Sequence, residues 1–471
     1  MPARLSLRTK PVAATVKLTA LTKTALPAWL KKAKAAQKRY AESVGFKAAT
    51  GEILALPASD GKIERVLVGV PERETPDGSG HKFWSWGALP LKLPAGSYRL
   101  DPEPTDAGEA TEIALAWALG SYAFDRYKKA AKAPAELVWP AKADRKRVQA
   151  IVAADGLARD LINTPAEDMG PDALAAAAID TAHELDFASS DVIVGDKLLK
   201  EGFPLVHAVG RAAEKAPRLI DMRWGDPKHP RIAVIGKGVC FDTGGLDIKP
   251  DTGMKMMKKD MGGAAHALAL ARLIVEAKLP VRLRVLIPAV ENSVSGNSIR
   301  PLDIVKSRKG ITVEIGNTDA EGRLILADAM AAAGEDEPEL MIDFATLTGA
   351  ARVALGPDLP AFFANDDDLA RTFLQSGIAA HDPFWLMPLW QGYRARMESK
   401  IADTSNISDG PFAGAVTAAL FLQNFVPAKC RWAHFDVFAW NPWTRAGRAE
   451  GAHLQTVRGV FAALEKLYPK A

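Results

Sequence analysis

Arg231-Ile232-Ala233-Val234-Ile235-Gly236-Lys237-Gly238-Val239-Cys240-Phe241-Asp242-Thr243-Gly244-Gly245-Leu246-Asp247-Ile248-Lys249-Pro250 is an apolar, β-rich run that gives way to glycines, acids and lysines. Two further segments repeat the pattern. Lys259-Asp260-Met261-Gly262-Gly263-Ala264-Ala265 opens an alanine-rich helix, stopped by Pro280. Asn317-Thr318-Asp319-Ala320-Glu321-Gly322-Arg323-Leu324 follows the branched run Ile311–Ile315 and opens another helix. Strands alternate with helices from Ile232 onward, through Val281–Ala289 and Leu340–Ala345. That alternation predicts an α/β fold with a mostly parallel or mixed sheet and helices on both faces. In such a sheet the loops at the carboxyl ends of the strands form the binding crevice. All three acidic segments, and Thr346-Leu347-Thr348-Gly349, fall on that side.

Outward from this core, the N-terminal part reads as a smaller α/β domain over 1–140, with the larger domain at 141–471. In it, Ala14–Ala20 and Arg65–Val70 read as strands, and Pro27–Val44 and Ala107–Lys129 as helices. Val148–Asn163 and Pro171–Leu185 are predicted helices, and Pro204–Gly210 and Arg218–Met222 short strands. The 471 residues are 48% hydrophobic and 25% charged, with a net charge of +4. That balance argues against a nucleic-acid or membrane-surface protein. No apolar run reaches the ~20 residues of a spanning helix, and no secretory leader is evident at the N-terminus. Two cysteines, Cys240 and Cys430, exclude a disulfide scaffold and point to a reducing, cytoplasmic setting. Flanked by Val239 and Phe241, Cys240 reads as a core residue rather than a nucleophile.

The acids carry the chemistry. Asp319 and Glu321, two residues apart in a stretch read as extended, point the same way. Alone they could be exposed acids at a helix start. Asp242 and Asp260, each in a glycine-rich turn within apolar sequence, make four carboxylates converging on one crevice. Such a cluster needs divalent cations, and four acids are more than one ion requires. Lys237 and Lys249 could each be an ordinary ion-pair partner. Beside dications, one lysine could instead be a neutral nitrogen ligand and the other an oxyanion stabiliser. Arg323, just inside a helix start, suits an anion. Gly236-Lys237-Gly238 has neither the P-loop nor the dinucleotide spacing. His183-Glu184 and His266 form no zinc helix, and no nucleophile elbow is present.

At these residues the chain resembles the leucyl aminopeptidase family, the di-metal cytosolic aminopeptidases. The octapeptide Asn317–Leu324 is similar to the family signature. So are Gly236–Pro250, Asp260–Ala265, Ser295–Pro301, Asn163–Pro165 and Ala345–Ala350, and the likeness spans about 150–465. The resemblance implies two divalent ions, zinc or manganese, held by Lys237, Asp242, Asp260, Asp319 and Glu321, with Asp242 and Glu321 bridging. It implies that Lys249 polarises the scissile carbonyl and that Arg323 holds a bicarbonate acting as general base. Met257, Asn317, Thr346, Leu347 and Gly349 are then expected to contact the substrate. Release of N-terminal residues from peptides by a homohexamer is the implied function. Two departures stand out: Asp247 where many members carry serine, and the absence of the usual glycine run in Asp403–Ala415. A di-metal phosphoesterase is the rival enzyme class. DNA binding through Lys31, Lys32, Lys34 and Lys38 is the non-enzymatic rival, although neither a membrane nor nucleic acid is an expected partner.

Overall fold

The computed structural model describes residues 5–130 and 132–470. They group into two compact units. One takes the described residues up to Gly156 together with Asn441–Glu450. The other takes Leu157–Trp440 and the residues from Gly451 onward. The first unit carries a six-stranded sheet in the order Leu7–Arg8, Glu136–Val138, Ser97–Leu100, Val16–Leu21, Ile63–Gly69, Ile53–Pro57. All its pairings are parallel except the last. The predicted helix Pro27–Val44 is broken in two, Leu26–Lys32 and Ala35–Ser43. The helix expected to reach Lys129 stops at Gly120, after a buried run of alanines around Trp117. Of the four lysines weighed for DNA, Lys34 pairs with Glu64 at 2.6 Å and Lys38 with Glu42 at 4.0 Å.

The second unit is built on a nine-stranded sheet. Its strands are β1 (Ser189–Val194), β2 (Arg218–Trp224), β3 (Arg231–Gly236), β4 (Gly238–Asp242), β5 (Arg282–Asn292), β6 (Leu340–Ala345), β7 (Ala361–Ala364), β8 (Trp385–Leu386) and β9 (Arg431–Asp436). The order is β8-β7-β9-β6-β3-β5-β2-β1, with β4 continuing beside the end of β5. The central strands β9, β6, β3 and β5 are parallel; β7 and β2 pair antiparallel on either side of them, and β1 pairs antiparallel with β2. The parallel centre brings the carboxyl ends of four strands to one edge. The central strands are buried along nearly their whole length, as a sheet covered on both faces requires.

Five helices matter for the site or its packing: α1 (Pro171–Glu184), α2 (Gly262–Glu276), α3 (Gly322–Gly334), α4 (Gly349–Leu355) and α5 (Gly414–Gln423). Helices α2 and α3 are alanine-rich and buried almost all round, so small side chains let them lie close against the sheet. At Gly263 an added Cβ would sit 2.1 Å from the Phe344 carbonyl, so only glycine permits that approach.

One predicted strand is a helix: Pro204–Gly210. Its apolar run fits either structure, and tertiary contacts decide between them. Pro204 takes the first turn, where its missing N–H is no loss. The buried carboxylate of Asp328 accepts the Leu205 N–H at 2.7 Å and so caps the helix from α3. Among the described residues no helix is long and apolar enough to cross a membrane.

Candidate metal centre

Several of the functional side chains stand where a strand stops. β3 ends at Gly236 and hands over to Lys237, β4 ends on Asp242, β5 on Asn292, β6 just before Thr346, and β9 on Asp436. The loop after β4 turns through Gly244 and Gly245, at φ of +89° and +66°, a conformation that costs glycine little. The turn folds Lys249 back over Asp242. Asp260 sits in the short 3₁₀ segment Met257–Met261 that leads into α2.

Asp319 and Glu321 do not lie in an extended segment. Thr318-Asp319 form a turn, and Glu321 is already helical, at φ −73° and ψ −36°. They still face one centre, because side-chain hydrogen bonds set the turn. Asn317 Oδ1 accepts the Asp319 N–H at 2.7 Å, and Asn406 grips the same backbone at Gly316 and Asn317.

The structure brings the acids together. One carboxylate oxygen each from Asp242, Asp319 and Glu321 lies within 4.8 Å of the others. Asp260 joins through Lys237, whose Nζ is 2.8 Å from Asp260 Oδ2 and 2.8 Å from Glu321 Oε1. Lys249 Nζ is 2.9 Å from Asp242 Oδ2 and in contact with Asp319 Oδ1. Lys237, Asp242, Asp260 and Glu321 are each 2% exposed. Room for Lys237 depends on Gly322, where an added Cβ would meet Lys237 Cε at 2.5 Å.

The electrostatics show a cluster with too much negative charge. Burial, and then the neighbouring Asp242, push the Glu321 carboxyl up to about 8. The same two causes raise Asp319. For Lys237, burial opposes the charge, but Asp260, Glu321 and Asp242 outweigh it and raise its pKa above the ordinary lysine value. Lys249 is raised likewise, with Asp242 and Asp319 outweighing burial. Two lysines cannot neutralise four carboxylates. Asp260 Oδ2 and Asp319 Oδ1 are sealed from solvent and lack a well-directed hydrogen bond, although a lysine nitrogen is near each. Surplus charge on orphaned oxygens, in a set of hard oxygen donors, fits divalent cations.

Arg323 lies in the first turn of α3. Its Nη1 donates to the Asn406 carbonyl at 2.7 Å, while its buried Nε has no partner. Burial lowers the guanidinium to about 10, so an anion at that point would relieve it. Met257 is half-buried at the start of the 3₁₀ segment. Thr346 is buried and bonded to Asp260 Oδ1 at 2.7 Å. Leu347 is half-buried and Gly349 exposed.

Sequence reading missed three residues. Asn292 Nδ2 donates to Asp242 Oδ1 at 2.8 Å and orients that carboxylate. Asn406 ties the acidic turn to Arg323. Asp436 accepts the N–H groups of Leu347 and Thr348 and the Thr348 hydroxyl at 3.0, 3.2 and 2.6 Å. Asp436 had a signal, an acid closing an apolar strand; the two asparagines had none. Asp247 is also explained: its Oδ2 accepts the Thr318 N–H at 2.7 Å and so joins the two acidic loops.

Set against known proteins, residues 156–461 match the model of the cytosol aminopeptidase family catalytic domain. Residues 16–140 match that of the M17 aminopeptidase N-terminal domain. The chain belongs to the cytosol aminopeptidase family. The family is one of metal-dependent aminopeptidases, and the chain is an enzyme of it. A probable cytosol aminopeptidase of Syntrophotalea carbinolica is 45% identical over 295 residues, which is 62% of this chain and 59% of that protein. The crystal structure of the cytosol aminopeptidase of Coxiella burnetii superposes with a TM-score of 0.93 at 46% identity, over 98% of this chain and 99% of that one. The bottromycin maturation enzyme BotP, solved in complex with Mn, has a TM-score of 0.84 at 32% identity, over 97% of this chain and 100% of its own.

Proposed function

We propose that this aminopeptidase removes the N-terminal residue of peptides at a centre holding two divalent ions, manganese or zinc. Lys237, Asp242, Asp260, Asp319 and Glu321 would hold them, with Asp242 and Glu321 shared between the two. Bound there, such ions supply Lewis acidity toward a carbonyl oxygen and lower the pKa of water. The convergence of four acids on two lysines carries this reading, because added cations would balance it.

The chain's own groups do the rest. Lys249 presents a cationic N–H donor at the open side of the cluster, where a carbonyl oxygen gains negative charge as the peptide bond is attacked. Arg323, with its unpartnered Nε, holds the anion that serves as general base, and bicarbonate matches it in charge and planarity. Asn292 and Asn317 keep Asp242 and Asp319 in register. Met257, Thr346, Leu347 and Gly349 border the first residue of the peptide, on a loop that Asp436 braces. A free α-amino group at the ions would explain cleavage at the chain end only.

The test is release of free leucine from a C-terminally amidated leucine peptide, abolished by chelator and restored by manganese. No release with any divalent metal would overturn the reading. We also propose a cytoplasmic homohexamer and a separate 1–140 domain. The free buried cysteines support the first location, and exposed Trp385, Trp390, Ile401 and Phe412 support an assembly. Mass measurement in solution tests the hexamer.

A further inference from the structure

Beside the loop that borders the substrate lies a group of cations with no part in holding ions. The chain runs on from Asp436 to Phe438, whose ring is half-buried. Lys259 Nζ lies 5.0 Å from the centre of that ring, and Arg352 Cζ lies 4.6 Å from it. Lys259 is only 4% exposed. Among the described residues, neither cation forms an ion pair with a carboxylate or donates a side-chain hydrogen bond.

The acids close by are already committed. Asp260 serves Lys237 and the Thr346 hydroxyl. Both oxygens of Asp436 are taken by Leu347 and Thr348. The third lysine of the region, Lys258, donates to the Asn163 carbonyl at 2.6 Å and lies over Trp440. It is satisfied where Lys259 is not.

The position is that of the substrate loop. Lys259 immediately precedes Asp260. An added Cβ on Gly262 would meet Ala439 Cβ at 2.5 Å and Thr346 Cγ2 at 3.1 Å, so Ala439, next to Phe438, and Thr346 both lie against Gly262. An added Cβ on Gly349 would come within 3.7 Å of Arg352 Nη2, which places the guanidinium beside the exposed end of that loop. An aromatic face compensates a desolvated cation only in part. Burying an ammonium with no carboxylate at ion-pair distance costs more than such a ring returns, so the ring alone is not enough. An anion supplied by a ligand would complete the group.

We propose that Lys259 and Arg352, gathered over Phe438, form a carboxylate-binding subsite of the substrate pocket, so that the enzyme selects peptides carrying an acidic group next to the scissile bond. The proposal rests on the peptidase reading above. The carboxylate could come from an N-terminal glutamate side chain or from the free C-terminus of a dipeptide.

The experiment compares isosteric pairs on the manganese-loaded full chain. Glu-Ala-amide against Gln-Ala-amide tests the side chain. Leu-Ala against Leu-Ala-amide tests the C-terminus. The expected result is a preference of about tenfold or more in kcat/KM, mainly through KM, for the acidic member of one pair. That preference should collapse to about threefold or less in Arg352→Gln and Lys259→Met. Arg352 is exposed, so its variant tests the idea even if Lys259→Met folds poorly. In Arg352→Glu the preference should reverse. Ratios within about twofold for both pairs in the unmodified enzyme, unmoved by the variants, would overturn the subsite while turnover of Leu-Ala-amide leaves the peptidase reading intact. Failure to cleave any of the four would instead overturn that reading.

Discussion

Strand β5 has an ion cluster at each end, and the two are built on opposite terms. At its start, Arg284 forks onto Asp221, with Nε to Oδ1 at 3.0 Å and Nη2 to Oδ2 at 2.7 Å, and reaches Asp336 at 2.9 Å. Arg223 joins Asp336 at 2.8 Å. Two arginines meet two aspartates, and the Ala332 carbonyl takes a further N–H. At the other end, Asn292 reaches a set of four acids and two lysines in which oxygens are left without a directed bond. The first cluster is complete as folded. The second leaves charge and bonding capacity open to partners from outside the chain. An ion network that closes on itself serves the fold, and one that does not marks the place where something binds.

That contrast can be broken or sharpened by substitution. The largest effect is expected for Glu321→Gln. Peptide hydrolysis should fall by about a thousandfold or more, and bound metal should drop from two ions per chain to one or none, as read by elemental analysis. Retention of two ions with normal turnover would remove the basis of the site. Arg323→Leu is expected to lower kcat by about a hundredfold with little change in metal content, in line with loss of one group that positions charge in the transition state. Arg284→Met should do the reverse. It should leave turnover per folded molecule unchanged and lower unfolding free energy by about 1–3 kcal/mol, because Asp221 loses its fork and keeps only Arg223 at 3.7 Å, while Asp336 keeps Arg223 at 2.8 Å; denaturant titration measures this.

A smaller effect concerns pH. Burial lowers the His266 imidazole to about 4, and its two nitrogens are engaged by the Gly262 carbonyl and the Gln455 N–H. The folded pKa lies below the unfolded one. The stabilisation is therefore present above about pH 6.5 and lost as pH falls toward 4, amounting to a few kcal/mol at most. His266→Gln should flatten that part of the stability profile measured by thermal unfolding in buffers from pH 7 to 4. The smallest change is expected for Asp247→Ser. Losing the bond to the Thr318 N–H should cost about 1 kcal/mol of stability and a severalfold weakening of metal binding.

The alternation of strands and helices was legible because period and composition are local properties. So were the three acidic segments, since acids interrupting apolar runs are conspicuous. Asp242 and Asp260 could be read this way. Asn292 and Asn406 could not, because an asparagine's value lies in which backbone groups it meets, and those come from segments 26 to 90 positions away. Asp319-Glu321 reads as extended from its local pattern but is a turn, because the hydrogen bonds that seat it come from Asn317 and Asn406 rather than from its own propensity. Pro204–Gly210 is a second such case. Its apolar run is ambiguous between helix and strand until Asp328, more than a hundred residues on, caps it.

By itself the sequence determined the class of fold, the strand ends at which chemistry would gather, and the residue types able to hold cations. Those follow from local propensity and from the rule that parallel strands expose their carboxyl ends together. Tertiary structure alone decided that four acids share one centre, that Asp247 pins two loops, and that Lys259 and Arg352 meet over one aromatic ring. Charge and hydrogen bonding depend on distance in space, and neighbours in space become known only when the chain has folded.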